Sequence, residues 1–127
     1  QGHKPQIHKP QIHVTGERGE RAAVAMAAGR GWVVTERNRR FAGGEADILA
    51  ERIVDGRKQG LVLEVKTTRS DPSEMGSRVS KAQRGRLFKM ADAYCEERAL
   101  EEVHVAVVFV RLTGDRQALT WVDLDRW

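Results

Sequence analysis

One cysteine, Cys95, occurs in 127 residues. That excludes an internal disulfide framework and fits a reducing, cytoplasmic setting. Cys95 falls on a helical pattern, where a packed thiol is expected rather than a nucleophile. No apolar run approaches the roughly 20 residues that cross a bilayer, so no membrane association is expected. The polar start shows no apolar signal region, so secretion is not expected. Acids are the scarcer charge, with 18 Asp and Glu against 22 Lys and Arg, for a net charge of +4 and a pI near 9.6. This permits an anionic partner such as nucleic acid without requiring one.

What is present suits one soluble domain. Charged residues are 31% and hydrophobic ones 40% of the chain, and a chain of this length can bury a useful core. Residues 1–13 hold His-Lys-Pro-Gln-Ile twice, followed by His13. Two prolines without hydrophobic periodicity predict an extended, flexible tail over 1–14 ahead of a domain over 15–127. Thr15 is the expected cap of a first helix that packs through Ala22, Ala23, Ala25 and Met26 and stops at Gly29 and Gly31. Trp32–Thr35 reads as a short strand, and residues 37–44 as a basic loop ending in two glycines. Ala46–Ile53 and Leu61–Thr68 read as a hairpin turning at Asp55-Gly56.

Ser80 with Gln83 makes a capping-box pattern before a helix that buries Leu87, Met90, Ala91 and Tyr94. Val103–Leu112 is apolar enough for a central strand. Gly114-Asp115 turns the chain into a last strand over Leu119–Leu124. The element order is αβββαββ, an α/β fold with a five-stranded sheet flanked by helices.

Three charged residues interrupt the apolar hairpin: Asp47 in Glu-Ala-Asp-Ile-Leu-Ala (45–50), then Glu64 and Lys66 in Leu-Val-Leu-Glu-Val-Lys (61–66). Strand alternation puts Glu64 and Lys66 on one face. An acid and an amine beside a core are costly unless they pair or bind an ion. Phosphodiester hydrolysis needs an activated water and neutralised phosphate charge, which magnesium on carboxylate oxygens supplies. Asp47 and Glu64 are therefore candidate ligands for Mg2+ or Mn2+. Lys66 is the candidate for orienting the water and stabilising the transition state. Glu45 and Glu20 are candidate auxiliary acids. An ordinary surface salt-bridge cluster explains the same trio and stays open on these residues alone.

An Asp followed by Glu-x-Lys on the next strand, after a helix bearing Glu, resembles the PD-(D/E)XK restriction-endonuclease-like superfamily. The closer resemblance is to the bacterial YraN-like family. It rests on Gly16-x-x-Gly19-Glu20, Arg37-Asn38-x-Arg40, Gly44-Glu45-x-Asp47-Ile48, Glu64-Val65-Lys66 and a helix start containing Lys81, and it spans about residues 15–112. It implies a mixed central sheet, metal ligation by Asp47 and Glu64, a catalytic Lys66 and an auxiliary Glu20. Archaeal Holliday-junction resolvases are similar in the same places, which implies branched DNA as a substrate and a homodimer. Two departures stand out. Ala46 replaces both the superfamily proline and the family's large aliphatic before the Asp. The arginine usual two residues after the lysine is matched only by Arg69, three after Lys66.

Arg37, Arg39, Arg40, Arg69 and Lys81 are the candidate nucleic-acid contacts, with a solvated basic surface as the alternative. A structural role is expected for His104, and Trp32, Trp121 and Trp127 are expected to pack on the sheet.

Overall fold

The structure, a computed structural model, describes residues 4–68 and 79–126, with side chains from residue 16 onward. Its elements are α1 (Lys4–Gly29), β1 (Val33–Phe41), β2 (Gly44–Val54), β3 (Arg57–Thr68), α2 (Lys81–Arg98), β4 (Glu102–Thr113) and β5 (Arg116–Leu124). The order αβββαββ is the one expected. The strands lie in the order β1-β2-β3-β4-β5. Every neighbouring pair is antiparallel except β3 and β4, which are parallel and joined through α2. A parallel pair needs such a crossover, and its long connection sets α2 across one face of the sheet.

Alternation splits the core in two. Leu49, Val62, Val105, Val107 and Phe109 pack with Leu87, Met90, Ala91 and Tyr94 of α2. Ile48, Ala50, Leu61, Leu63, Ala106, Val108 and Val110 pack with Ala23 and Ala27 of α1. β3 occupies the middle of the sheet. β4, expected at the centre, lies one place further out and is buried on both faces, as its continuous apolar run requires.

The cap of α2 forms as the sequence predicts. Ser80 is extended, and its Oγ accepts from the Gln83 N–H at 3.1 Å. At the other end Ala99 turns left-handed (φ 52°) and the Leu100 N–H bonds to the Cys95 carbonyl, so buried Leu100 closes the helix. The Cys95 thiol is partly buried and donates to the Leu100 carbonyl, a packing role.

Two boundaries differ from expectation. α1 begins at Lys4, so it takes in the repeat read as extended and leaves Thr15 inside the helix. Pro5 falls in the first turn, where its missing N–H has no intrahelical partner to lose, and extending an existing helix is far easier than nucleating one. Ala25 is exposed; Ala22, Ala23 and Ala27 form the packed stripe. The supposed basic loop is largely strand. β1 runs through Arg37–Phe41 in register with β2, and the turn tightens to Ala42-Gly43, both at positive φ. Charged residues suit this position because β1 is a sheet edge.

Gly60 on β3 packs beneath the end of α2. A Cβ there would lie 2.5 Å from Leu100 Cδ1, 3.2 Å from Val103 Cγ2 and 3.3 Å from Tyr94 Cδ2. Gly60→Ala should therefore destabilise the fold by about 1–3 kcal/mol in urea unfolding, the usual range for overpacking a filled core.

Candidate active site

The hydrogen-bonded ladder between β2 and β3 ends at the Ile48–Leu63 pair. One step further the strands part, and the Asp47 carboxylate replaces the missing backbone acceptor. Its Oδ2 takes the Val65 N–H at 2.7 Å. The face alternation also breaks there. Ala46 lies in the core beneath α2, whereas Ile48 lies in the core beneath α1, two residues on. On β1 the matching irregularity is Asn38, which adopts a left-handed backbone (φ 52°) between Arg37, paired with Ile48, and Arg39, paired with Ala46. Asparagine tolerates that conformation better than most residues.

Alternation on β3 stays regular. Glu64 and Lys66 both point to the α2 side, with Lys66 Nζ 3.9 Å from Glu64 Oε2. Gln83 Nε2 donates to Glu64 Oε2 at 3.0 Å. Gln83 was legible in the sequence only as a capping residue. Its backbone does serve the Ser80 cap, but its amide turns to the acid. The clue was its place at the third position of α2, on the face that meets the sheet.

The Asp47 and Glu64 carboxyls each act on the other's ionisation. Burial raises the Asp47 pKa, and the negative charges of Glu20 and Glu45 add to the rise; the Val65 N–H and Glu64 oppose it. Burial and the neighbouring Asp47 push Glu64 up to about 8, against the opposing pull of Lys66 and Gln83. Two carboxylates that act on each other cannot both ionise easily, and both are held above the usual carboxylate range.

Glu20 is close enough for its charge to act on Asp47, and α1 places it there. Gly19, one residue before, lies so near Thr67 of β3 that a Cβ would overlap Thr67 Oγ1. The acid is not free: its Oε1 accepts from Arg37 Nη2 at 3.1 Å and Asn38 Nδ2 at 3.2 Å. Glu45 faces outward, opposite Arg40 on β1 at 3.7 Å.

The basic candidates separate. Arg39 is tied by two bonds of 2.6 and 2.5 Å to Glu97 of α2 and stacks on Phe41, which makes it a brace between β1 and α2. Arg37 is committed to Glu20. Arg40 is 88% exposed and Lys81 is exposed at the start of α2. Arg69 and Trp127 lie outside the described residues. His104 sits edge-on to Trp32 at 5.7 Å and 3.7 Å from Glu102, away from the acids. A groove of about 550 Å3 lined by Arg30, Val33, Arg52, Ile53 and Lys58 lies at the other end of the β1–β2 hairpin.

Among the described residues no three His, Cys, Asp or Glu side chains form a ready-made metal cage. Magnesium rarely uses one; it takes one or two carboxylates and completes its shell with water and substrate oxygens. The Asp47–Glu64 pair fits that requirement, since a dication would stabilise two charges that burial otherwise disfavours.

Comparison with known proteins meets this geometry. The profile of Uncharacterised protein family UPF0102 matches residues 19–111, a span that contains Glu20, Asp47, Glu64, Lys66 and Gln83. The chain belongs to this family. It is the YraN-like family that the motifs resemble, within the restriction-endonuclease-like superfamily. A UPF0102 protein of Roseiflexus castenholzii (strain DSM 13941 / HLO8) is 39% identical over 80 residues, covering 62% of this chain and 61% of the relative. The chain thus spans about three fifths of the length of the relative it matches. A solved structure described as the crystal structure of SSO0001 is 20% identical, with a TM-score of 0.40, over 96% of this chain and 57% of that one. No helix among the described residues is long and apolar enough to cross a membrane.

The raised pKa of Glu64 has a measurable consequence. The folded protein retains at Glu64 a proton that an ordinary glutamate releases near 4.5 and this one near 8. The native state therefore binds more protons than the unfolded chain across that window, and stability falls as pH rises through it. Thermal unfolding without divalent metal should show Tm decreasing from about pH 4.5 to about pH 8. Glu64→Gln should flatten most of that slope, and an unchanged slope in the variant would place the proton elsewhere.

Proposed function

We propose that this protein is a metal-dependent endonuclease that hydrolyses phosphodiester bonds in DNA, acting on branched or damaged DNA. The observation that supports this is the meeting of Asp47, Glu64 and Lys66 where β2 and β3 part, with Asp47 anchored on the Val65 N–H and Lys66 beside Glu64. A salt bridge built only for stability has no need of a second buried acid, which raises the local charge cost.

Asp47 and Glu64 would hold Mg2+ or Mn2+, which when bound acidifies a water and offsets phosphate charge. Gln83 fixes the rotamer of Glu64, and the Val65 N–H fixes Asp47. Lys66 orients the attacking water and stabilises negative charge developing on the phosphate. Water oxygen forms the new bond to phosphorus and gives up its proton to solvent, the bond to the departing sugar oxygen breaks, and that oxygen takes a proton from solvent. Glu20 is the auxiliary acid, held by Arg37 and Asn38, and Glu45 adds negative charge at the rim. Arg40, Arg69 and Lys81 are assigned to backbone phosphates. We assign the protein to the cytoplasm as a homodimer, because a symmetric junction suits two related sites.

One observation favours a second reading, a nucleic-acid-binding module that keeps the fold without cutting. Glu20 is already neutralised by Arg37, which leaves only two acids for a metal.

Nuclease assays with magnesium or manganese on linear, flapped and four-way DNA decide between the two. Cleavage should depend on the metal and fall by at least about a hundredfold in Glu64→Ala and in Lys66→Ala, the scale of losing one transition-state contact. Undiminished cleavage by both variants would sink the assignment. Salt-sensitive binding without cleavage under any divalent metal would favour the module.

In calorimetry, manganese should bind with proton release that grows as pH falls below about 8, since the metal must displace the proton held at Glu64. Asp47→Asn should abolish the binding, and wild-type affinity retained in that variant would remove Asp47 from the site.

A further inference from the structure

Arg111 lies near the end of β4, opposite Thr68 on β3 and Ala118 on β5. Val107 and Phe109 belong to the core beneath α2, while Val108, Val110 and Leu112 belong to the core beneath α1. Alternation therefore places Arg111 on the α2 side, the face that carries Glu64 and Lys66. Lys66 is opposite Phe109 and Thr68 is opposite Arg111, so Arg111 stands one row beyond the lysine. A strand spacing of about 4.8 Å and a two-residue rise of about 6.6 Å put the Lys66 and Arg111 backbones roughly 8 Å apart.

Among the described residues this arginine has no counterpart. Its Nε is enclosed and without a hydrogen-bond partner, and the side chain forms no ion pair among the described residues. The other enclosed orphan, Nε2 of His104, has Glu102 at 3.7 Å. A guanidinium carries a permanent charge. A partly buried, permanently charged group with no partner among the described residues is an unfavourable arrangement in the free protein. It becomes favourable once an anion meets it. The planar fork of arginine binds phosphate through two parallel hydrogen bonds, and the residue is only partly buried, so a ligand can reach it.

We propose that Arg111 is a substrate-binding residue that receives a backbone phosphate of the polynucleotide neighbouring the one cut beside Lys66. The inference rests on the nuclease reading above and deepens it. It supplies a phosphate contact on the same sheet face as the site, where the expected Arg39 is instead bound to Glu97.

The test is equilibrium binding of fluorescein-labelled four-way DNA to the full chain, with calcium in place of magnesium, across a range of salt. Arg111→Met keeps the apolar stem and removes the charge. It should weaken binding about tenfold, as loss of one charged hydrogen-bonded contact does, and make the salt slope shallower by about 0.9. Arg111→Lys should restore the slope but not the full affinity, because the ammonium lacks the fork. Arg57→Met, at the far end of β3, should change neither. The Tm of Arg111→Met should equal or exceed that of the wild type, since an unpaired charge is removed.

Binding by the wild type with the same affinity and slope in Arg111→Met would overturn this inference alone. A lower Tm in Arg111→Met would do the same, by making Arg111 a structural residue. No salt-dependent binding by the wild type would overturn both this inference and the nuclease reading.

Discussion

The site depends on a single carboxylate standing in for a backbone carbonyl. Where β2 and β3 part after Ile48, the Val65 N–H would be left without its ladder partner, and Asp47 takes it at 2.7 Å. An unmade backbone bond in a half-buried sheet is expensive, so Asp47 is anchored by the fold itself. That anchoring brings it against Glu64, which Gln83 holds from above. The fold thus stabilises an acid pair that electrostatics alone would separate, and burial beside Asp47 pushes Glu64 up to about 8.

The same opening organises the surroundings. The break in alternation at Asp47 is matched by the left-handed Asn38 on the edge strand, which turns Arg37 toward α1 and Arg39 toward α2. Two residues that alternation would place on one face therefore serve opposite faces. Arg37 and Asn38 fasten Glu20 on one side, and Arg39 fastens α2 through Glu97 on the other. The close approach of Gly19 to Thr67 sets the height of α1 over this end of the sheet and so the reach of Glu20. Family membership fits the arrangement, since the matched span runs from Gly19 to Arg111 and covers every element that builds the site.

Much of this was legible in the residues. Period-two and helical spacing located the elements, Ser80 and Gln83 marked the start of α2, and the Glu-x-Lys spacing put Glu64 beside Lys66. The errors share a cause. The Arg-rich segment 37–41 has weak strand propensity and reads as a loop, but pairing with β2 overrides propensity. The stretch before Thr15 reads as extended, but continuity with the downstream helix carries it. Gln83 reads as a cap because its second role involves a strand nearly twenty residues earlier. Arg111 reads as one polar residue at the end of an apolar run.

The sequence by itself determined the element order and the placing of Glu64 beside Lys66, because both follow from local periodicity and spacing. Tertiary structure alone decided which charges are spent and which are free. Arg39 pairs with Glu97, 58 residues away, Glu20 with Arg37, and Arg111 with nothing among the described residues. Those assignments depend on which strands lie side by side and where one of them breaks its alternation. No local pattern encodes that, since ion pairing is set by distance through space rather than along the chain.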